Sequence, residues 1–330
     1  MGELQRGAGE AIKKCLNLKE GEKIVIITDL ETLEIATALM EEAKALTDKI
    51  TFFIAEDFEK RPLKNVPQKI LDSISDSNVG ILAMQGKVGE LENFRRPLLQ
   101  KATESNLRFA NMINITHKIM EEGMNANYNE IGNLSNKLYS LLKDAKEIQV
   151  KTRAGTNFTA RFSKSIDWVI SDGHIKEGNW KNLPDGEVFT CPYTVDGKVV
   201  IDGVLGDYFS KKYGLLDSSP LYLKIKDGKV KEVKCKNSSL QKEFLEKIST
   251  DENASRIGEF AIGTNKYIKE LIGNMLQDEK FPGVHIAVGN GHPEKTGSDC
   301  HSAIHIDGVI RKPDVIVDNQ LIMRAGGFLI

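Results

Sequence analysis

The sequence predicts two parts: an α/β half with a doubly wound, mostly parallel sheet over residues 1–145, followed by an α+β, strand-rich half over residues 146–330. Three observations carry this expectation. At 330 residues the chain exceeds what one ordinary hydrophobic core usually organises. Its first half alternates short apolar runs with amphipathic stretches, and the texture then changes to closely spaced strands and turns.

In the first half, strands are expected at residues 23–28, 50–55, 79–85 and 108–115. Helical stretches lie between them at 30–46, 66–74 and 90–105, with a further helix at 129–144. Within 30–46 the apolar residues Leu30, Leu33, Ala36, Leu39, Met40, Ala43 and Leu46 recur every three or four positions, which places them on one helical face turned to a sheet. Crossover helices connect parallel strands, so this rhythm reads as a parallel sheet. In the second half, residues 147–153 and 157–163 form one expected hairpin, and 221–233 forms another that turns at Asp227-Gly228. Helices are expected at 240–249 and 266–276, and strands at 284–288, 302–309 and 314–322.

Composition narrows the function classes. A formal net charge of −2, with acidic and basic residues mixed along the chain, gives no footprint for nucleic acid. No apolar run approaches the roughly 18–20 residues that span a bilayer, and residues 1–20 are charged and helix-like, without the apolar core of a signal peptide. A cytoplasmic location is expected. The four cysteines, Cys15, Cys191, Cys235 and Cys300, stand far apart with no C-x-x-C pair, so neither a disulfide framework nor a zinc knuckle is expected. There is no G-x-G-x-x-G, and the stretch from Gly289 to Thr296 lacks the second glycine of a P-loop, so a nucleotide-binding role for the first half has little support.

The chemistry concentrates late in the chain. Of six histidines, four (His285, His292, His301 and His305) fall within 21 consecutive residues. In His305-Ile306-Asp307 the polar side chains stand at i and i+2, so on a strand both project from one face while Ile304 and Ile306 go to the other. An ordinary hydrogen-bonded His–Asp pair and a pair of metal ligands are both open readings of that spacing. His285 is a single imidazole in the apolar run 284–288, and the glycine turn Gly289-Asn290-Gly291 leads to His292. If the two flanking strands pair antiparallel, these side chains gather on one rim. Glu187 and Glu259 each follow a glycine and open an apolar run, and either one alone could simply be solvated.

Taken in order, Pro184-Asp185-Gly186-Glu187-Val188-Phe189-Thr190, Arg256-Ile257-Gly258-Glu259, His285-Ile286-Ala287-Val288-Gly289 and Ser302-Ala303-Ile304-His305-Ile306-Asp307 resemble the aminopeptidase T family of metallo-aminopeptidases, also called the thermophilic metalloprotease family. Residues 16–42 resemble it too. The resemblance implies that Glu187, Glu259, His285, His305 and Asp307 ligate two divalent ions (zinc, cobalt or manganese), that small peptides are the substrate, and that the chain forms a homodimer. The family has a tyrosine where this chain has His292, a residue able to coordinate, so His292 joins the candidate ligands and, with Glu259 as bridging carboxylate, the candidate catalytic residues. Glu294 and Asp299 are the loop acids in position to serve as general base. His301 is expected in the loop, and Cys300 beside it points away from it on an extended chain.

A rival reading is a ring-cleaving dioxygenase with one iron(II) on His285, His305 and Asp307, because the family's fold resembles that of 2,5-dihydroxypyridine dioxygenases and two histidines with one carboxylate suit non-haem iron.

Overall fold

The computed structural model describes residues 2–330; Met1, the first residue of the expected charged segment, lies outside them. Two compact units emerge, one comprising residues up to Gly132 together with Asp172–Asp185, the other Asn133–Ser171 together with Gly186–Ile330. This division differs from a single boundary near residue 145, because residues 172–185 return to the first unit.

In the first unit, β1 (Ile24–Thr28), β2 (Ile50–Ile54), β3 (Val79–Met84) and β4 (Arg108–Ile113) are joined by a short strand, β8 (Asn179–Asn182), in the order β2-β1-β3-β4-β8, every pair parallel. Strands β1, β3 and β4 are buried along their whole length, as a sheet covered on both faces requires. Helices Leu33–Lys44, Gln68–Ser75 and Arg96–Glu104 supply the crossovers, and Val25, Ile27, Ile70, Ile74, Leu98 and Phe109 share one core. The strand order reverses between β1 and β3, the place where doubly wound sheets bind ligands beyond the strand ends. Here that crevice holds the chain's own side chains. The buried Arg61 guanidinium bonds to the carboxylates of Asp29 and Glu90 and to the Gln85 carbonyl, and Asp29 also accepts the backbone N–H groups of Thr32 and Gln85.

The second unit contains two antiparallel sheets. The larger has eight strands in the order β12-β11-β10-β6-β5-β16-β17-β18. They are β5 (Glu147–Lys151), β6 (Asn157–Arg161), β10 (Thr194–Ile201), β11 (Leu221–Lys226), β12 (Lys229–Cys235), β16 (Asp314–Val317), β17 (Gln320–Arg324) and β18 (Gly327–Phe328). Both expected hairpins are present, and Asp227 and Gly228 turn the second with positive φ at each. The expected single strand 314–322 is instead a hairpin: Asp318 and Asn319 both take left-handed φ and reverse the chain. The expected helix 266–276 is also absent. Residues Lys266–Asn274 run as turns ahead of a short helix, Met275–Asp278, because the buried Asp278 carboxylate accepts the backbone N–H groups of Ile272, Gly273 and Asn274 and satisfies them without a helix.

The smaller sheet, β7 (Val169–Ser171), β9 (Glu187–Thr190), β13 (Ile257–Gly263), β14 (Gly283–Gly289) and β15 (His305–Ile310), runs in the order β15-β14-β13-β9-β7. Period-two alternation divides its residues. Val188, Phe260, Ile262, Val284, Ile286, Val288, Ile306 and Ile310 go to one face and join the core shared with the larger sheet, where Phe158 meets Phe260 edge-on at 6.3 Å. The residues between them, including every ligand candidate on these strands, go to the other face.

Candidate metal centre

Register explains how the ligand-bearing face is assembled. Ala287 of β14 pairs with Glu259 on one side and with Asp307 on the other, so the two carboxylates flank an alanine in one cross-strand row. One step along, Ala261 lies between Phe189 and His285, and Gly263 pairs with Glu187. Small residues in these central positions leave room for carboxylate and imidazole groups above them.

Two local devices aim the donors. The β13–β14 register shifts between Ile257 and Glu259, a bulge that turns Glu259 toward the cluster. It requires glycine at 258, since a Cβ there would lie 2.1 Å from the Gly289 carbonyl oxygen. Gly289 ends β14 with φ +99, and a Cβ on it would meet the Ile304 carbonyl oxygen at 2.2 Å. From there the chain enters the loop that carries His292 in a left-handed conformation, its N–H bonded to Asn290 Oδ1.

The side chains then converge around Glu259. Its Oε1 lies 3.3 Å from His285 Nε2, and the same nitrogen is 3.3 Å from Glu187 Oε2. Its Oε2 lies 3.4 Å from His292 Nε2 and 3.7 Å from His305 Nε2. His305 Nε2 is also 3.2 Å from Asp307 Oδ1, and its Nδ1 bonds to the Asn290 carbonyl at 2.8 Å, which fixes the ring orientation. Two three-residue groups, Glu187/Glu259/His285 and Glu259/His292/His305, each bring their donor atoms within 4.8 Å of one another, and Glu259 belongs to both. His285, Glu187, Glu259 and Asp307 are buried, whereas His292 and His305 are partly open to solvent.

The donor set fits divalent ions. Ligands held about 2.0–2.2 Å from a tetrahedral ion stand about 3.3–3.6 Å from one another. The four shortest contacts between imidazole nitrogens and carboxylate oxygens here, 3.2–3.4 Å, fall close to that range. The charge demand points the same way. Burial alone would push the His285 imidazole down, but Glu187 and Glu259 outweigh it and hold its pKa well above the ordinary value. His305 is likewise raised to about 10 by Asp307 and Glu259 against the effect of burial. Burial raises Glu259, yet contacts with His285 and His292 bring it well below the usual carboxylate range. Three buried carboxylates thus draw positive charge onto the groups around them, which is what a cation site does.

Comparison with known proteins agrees with this geometry. Residues 97–328 match the sequence profile of the thermophilic metalloprotease family, M29. The chain belongs to that family. It is a metal-dependent peptidase, and the expected assignment to the hydrolases holds. No curated protein sequence matches it. Among solved structures, wild-type AmpT from Thermus thermophilus is 17% identical with a TM-score of 0.74, covering 99% of each chain. The 2,5-dihydroxypyridine dioxygenase from Pseudomonas putida KT2440 is 15% identical with a TM-score of 0.72, covering 99% of this chain and 96% of that one. At such identities both likenesses speak to fold alone.

Other candidates in this metalloprotease stand outside both donor groups. Asp299 is exposed and pairs with Arg256 at 2.8 Å. Glu294 is exposed too, and its Oε1 is 3.4 Å from His292 Nδ1, on the ring edge away from Glu259. His301 is exposed beside Asn253, whose side chain bonds to its carbonyl. Cys300 is fully buried, its thiol directed to the Gly289 carbonyl at 3.1 Å. Sequence reasoning missed Lys280 and Glu279. The Lys280 ammonium is buried, 2.5 Å from Glu187 Oε1 and 2.8 Å from Glu279 Oε1. Burial pushes the Glu279 carboxyl up to about 8 despite Lys280. A lysine in a run of charged residues ahead of a strand gives no sequence signal of this kind.

Proposed function

We propose that the chain is an aminopeptidase that removes N-terminal residues from small peptides at a two-metal centre, with Glu187, Glu259, His285, His292, His305 and Asp307 as ligands. The observation that carries this reading is the division of the Glu259 carboxylate between two donor groups, which is the geometry of a bridging ligand. Divalent ions bound there supply Lewis acidity toward a peptide carbonyl and make water a stronger acid near neutral pH. The protein's own part is to hold five donors on a rigid sheet face and a sixth, His292, on the loop beside it, with His285 and the carboxylates buried and the His292 and His305 side chains 30% and 25% exposed, so a peptide approaches from the histidine side. The Asn290 carbonyl keeps a proton on His305 Nδ1 and leaves Nε2 as the donor. All four cysteines are free, which supports a reducing, cytoplasmic setting, and the family reading implies a homodimer.

The iron reading has less support from the side chains. His285 Nε2 faces Glu187 and Glu259, whereas His305 Nε2 faces Glu259 and Asp307, and among the described residues His285, His305 and Asp307 do not form one compact group. Metal content per chain is the first test, on protein purified anaerobically without chelator or affinity-tag metal. Two equivalents of zinc, cobalt or manganese, with cleavage of unblocked but not N-acetylated peptides, is the expected result. One equivalent of iron and no peptidase activity would overturn the proposal.

A further inference from the structure

Lys280 places a buried ammonium against one half of the centre. Its Nζ lies 2.5 Å from Glu187 Oε1, while Oε2 of the same carboxylate faces His285 at 3.3 Å. Glu187 therefore offers one free oxygen, and its charge is already partly neutralised. The other half has different company. There Glu259 Oε2, His292 and His305 are joined by Asp307, whose Oδ1 is 3.2 Å from His305 Nε2. Asp307 thus adds a second carboxylate beside His305, and among the described residues no ammonium contact is recorded for it.

We propose that the two halves hold divalent cations with unequal affinity, that the Glu187/Glu259/His285 half is the weaker and more exchangeable one, and that Lys280 sets the difference. This rests on the two-metal reading above. An ammonium one carboxylate away from a bound dication repels it, and because Lys280 is only 3% exposed, water and salt screen that repulsion poorly. Glu279 shares the ammonium at 2.8 Å, and burial pushes its carboxyl up, toward the neutral form. An orienting partner can also strengthen a site, typically by about 10- to 100-fold in metal affinity. That effect is secondary here, because β9 pairing with β13 and contact with His285 already position Glu187. Lys280 is thus a positioning and charge-setting residue whose net action is to weaken one ion's hold, leaving that ion free to exchange.

The test is calorimetric titration of the chelator-stripped full-length protein with cobalt(II) near neutral pH, followed in parallel by the visible absorption of the bound ion. Two steps are expected, separated by roughly 10-fold or more in Kd. Glu187→Gln should remove the weak step and leave the tight one. Lys280→Met should tighten the weak step by roughly 10-fold or more, and Lys280→Arg should keep the native separation, with thermal melting showing that each variant is folded. Two equal steps in the native protein, or a folded Lys280→Met whose weak step is unchanged or weaker, would overturn the proposal. A single step saturating at one ion per chain would instead overturn the two-metal reading. If Lys280→Met does not fold, the native two-step titration with Glu187→Gln still decides whether the inequality exists and which half is weak.

Discussion

Glu259 and His285 face each other across neighbouring antiparallel strands with 3.3 Å between Oε1 and Nε2, while the second oxygen of the same carboxylate faces His292. One side chain therefore links both halves of the centre. Replacing it should be more damaging than replacing any donor that serves one half. For Glu259→Gln we expect loss of both ions and a fall in peptidase kcat/KM of roughly 100-fold or more, since even an outer partner of a ligand is worth 10- to 100-fold. Elemental analysis and peptide kinetics check it, and retention of two ions would remove Glu259 from the bridging role.

Single-half donors should give graded effects. His305→Ala deletes a ligand but leaves the sheet core untouched, because the ring lies on the face opposite Ile306 and Ile310. We expect activity to be abolished with the melting temperature of the stripped protein little changed. His292→Ala should weaken metal retention less than His305→Ala, since His292 sits on a loop and meets one ligand carboxylate, Glu259, whereas His305 meets both Glu259 and Asp307. A fully active His305→Ala would sink the site assignment.

Much of this centre was legible in the sequence because period-two alternation decides which strand residues share a face. The spacing His305-Ile306-Asp307 and the lone imidazole of residues 284–288 translate directly into neighbouring positions on β15 and β14. What the sequence did not show depends on contacts between distant segments. The bulge at Gly258 exists because the Gly289 carbonyl approaches it, and the role of Lys280 exists because Glu187, 93 positions away, lies against its ammonium. The return of residues 172–185 to the first unit was hidden for the same reason, since β8 is four residues long, three of them polar, and gains its place by pairing with β4. The helix expected at 266–276 failed because Asp278 satisfies backbone groups that periodicity alone assigned to a helix.

Backbone geometry at the loop entrance is itself testable. Gly289 combines a left-handed φ with a carbonyl 2.2 Å from where a Cβ would stand. Gly289→Ala should cost about 1–3 kcal/mol of stability and displace the loop that carries Asn290 and His292. The expected readout is a lower melting temperature together with weaker metal binding. A variant that loses stability but binds metal like the native protein would show that the loop tolerates the shift.

Chelation should destabilise the fold as well as stop catalysis, because the ions bind only the folded state. At a free metal concentration of about 100 times Kd, one ion adds about 2.7 kcal/mol, which corresponds to a melting shift of about 5–11 °C for a unit of this size. We expect EDTA to lower the melting temperature by at least several degrees and added zinc or cobalt to restore it. An unchanged melting temperature with full loss of activity would mean that metal binding contributes nothing to folding.

The acid limb of stability should carry a signature from the first unit. Burial pushes the Glu90 carboxyl up, but the Arg61 guanidinium and the Leu63 N–H outweigh it, and its pKa in the folded protein lies below the ordinary value. A folded-state pKa below the unfolded one means that ionised Glu90 stabilises the protein at pH values above the unfolded pKa. That contribution is lost as pH falls through the folded value. Glu90→Gln should therefore destabilise the protein at neutral pH, by about 1.5–3 kcal/mol for hydrogen bonds made to a charged group, and by progressively less below about pH 4. Urea unfolding of both proteins across that range is the measurement. A stability difference that stayed constant down to pH 2 would show that the Glu90 charge contributes nothing and that the variant loses packing alone.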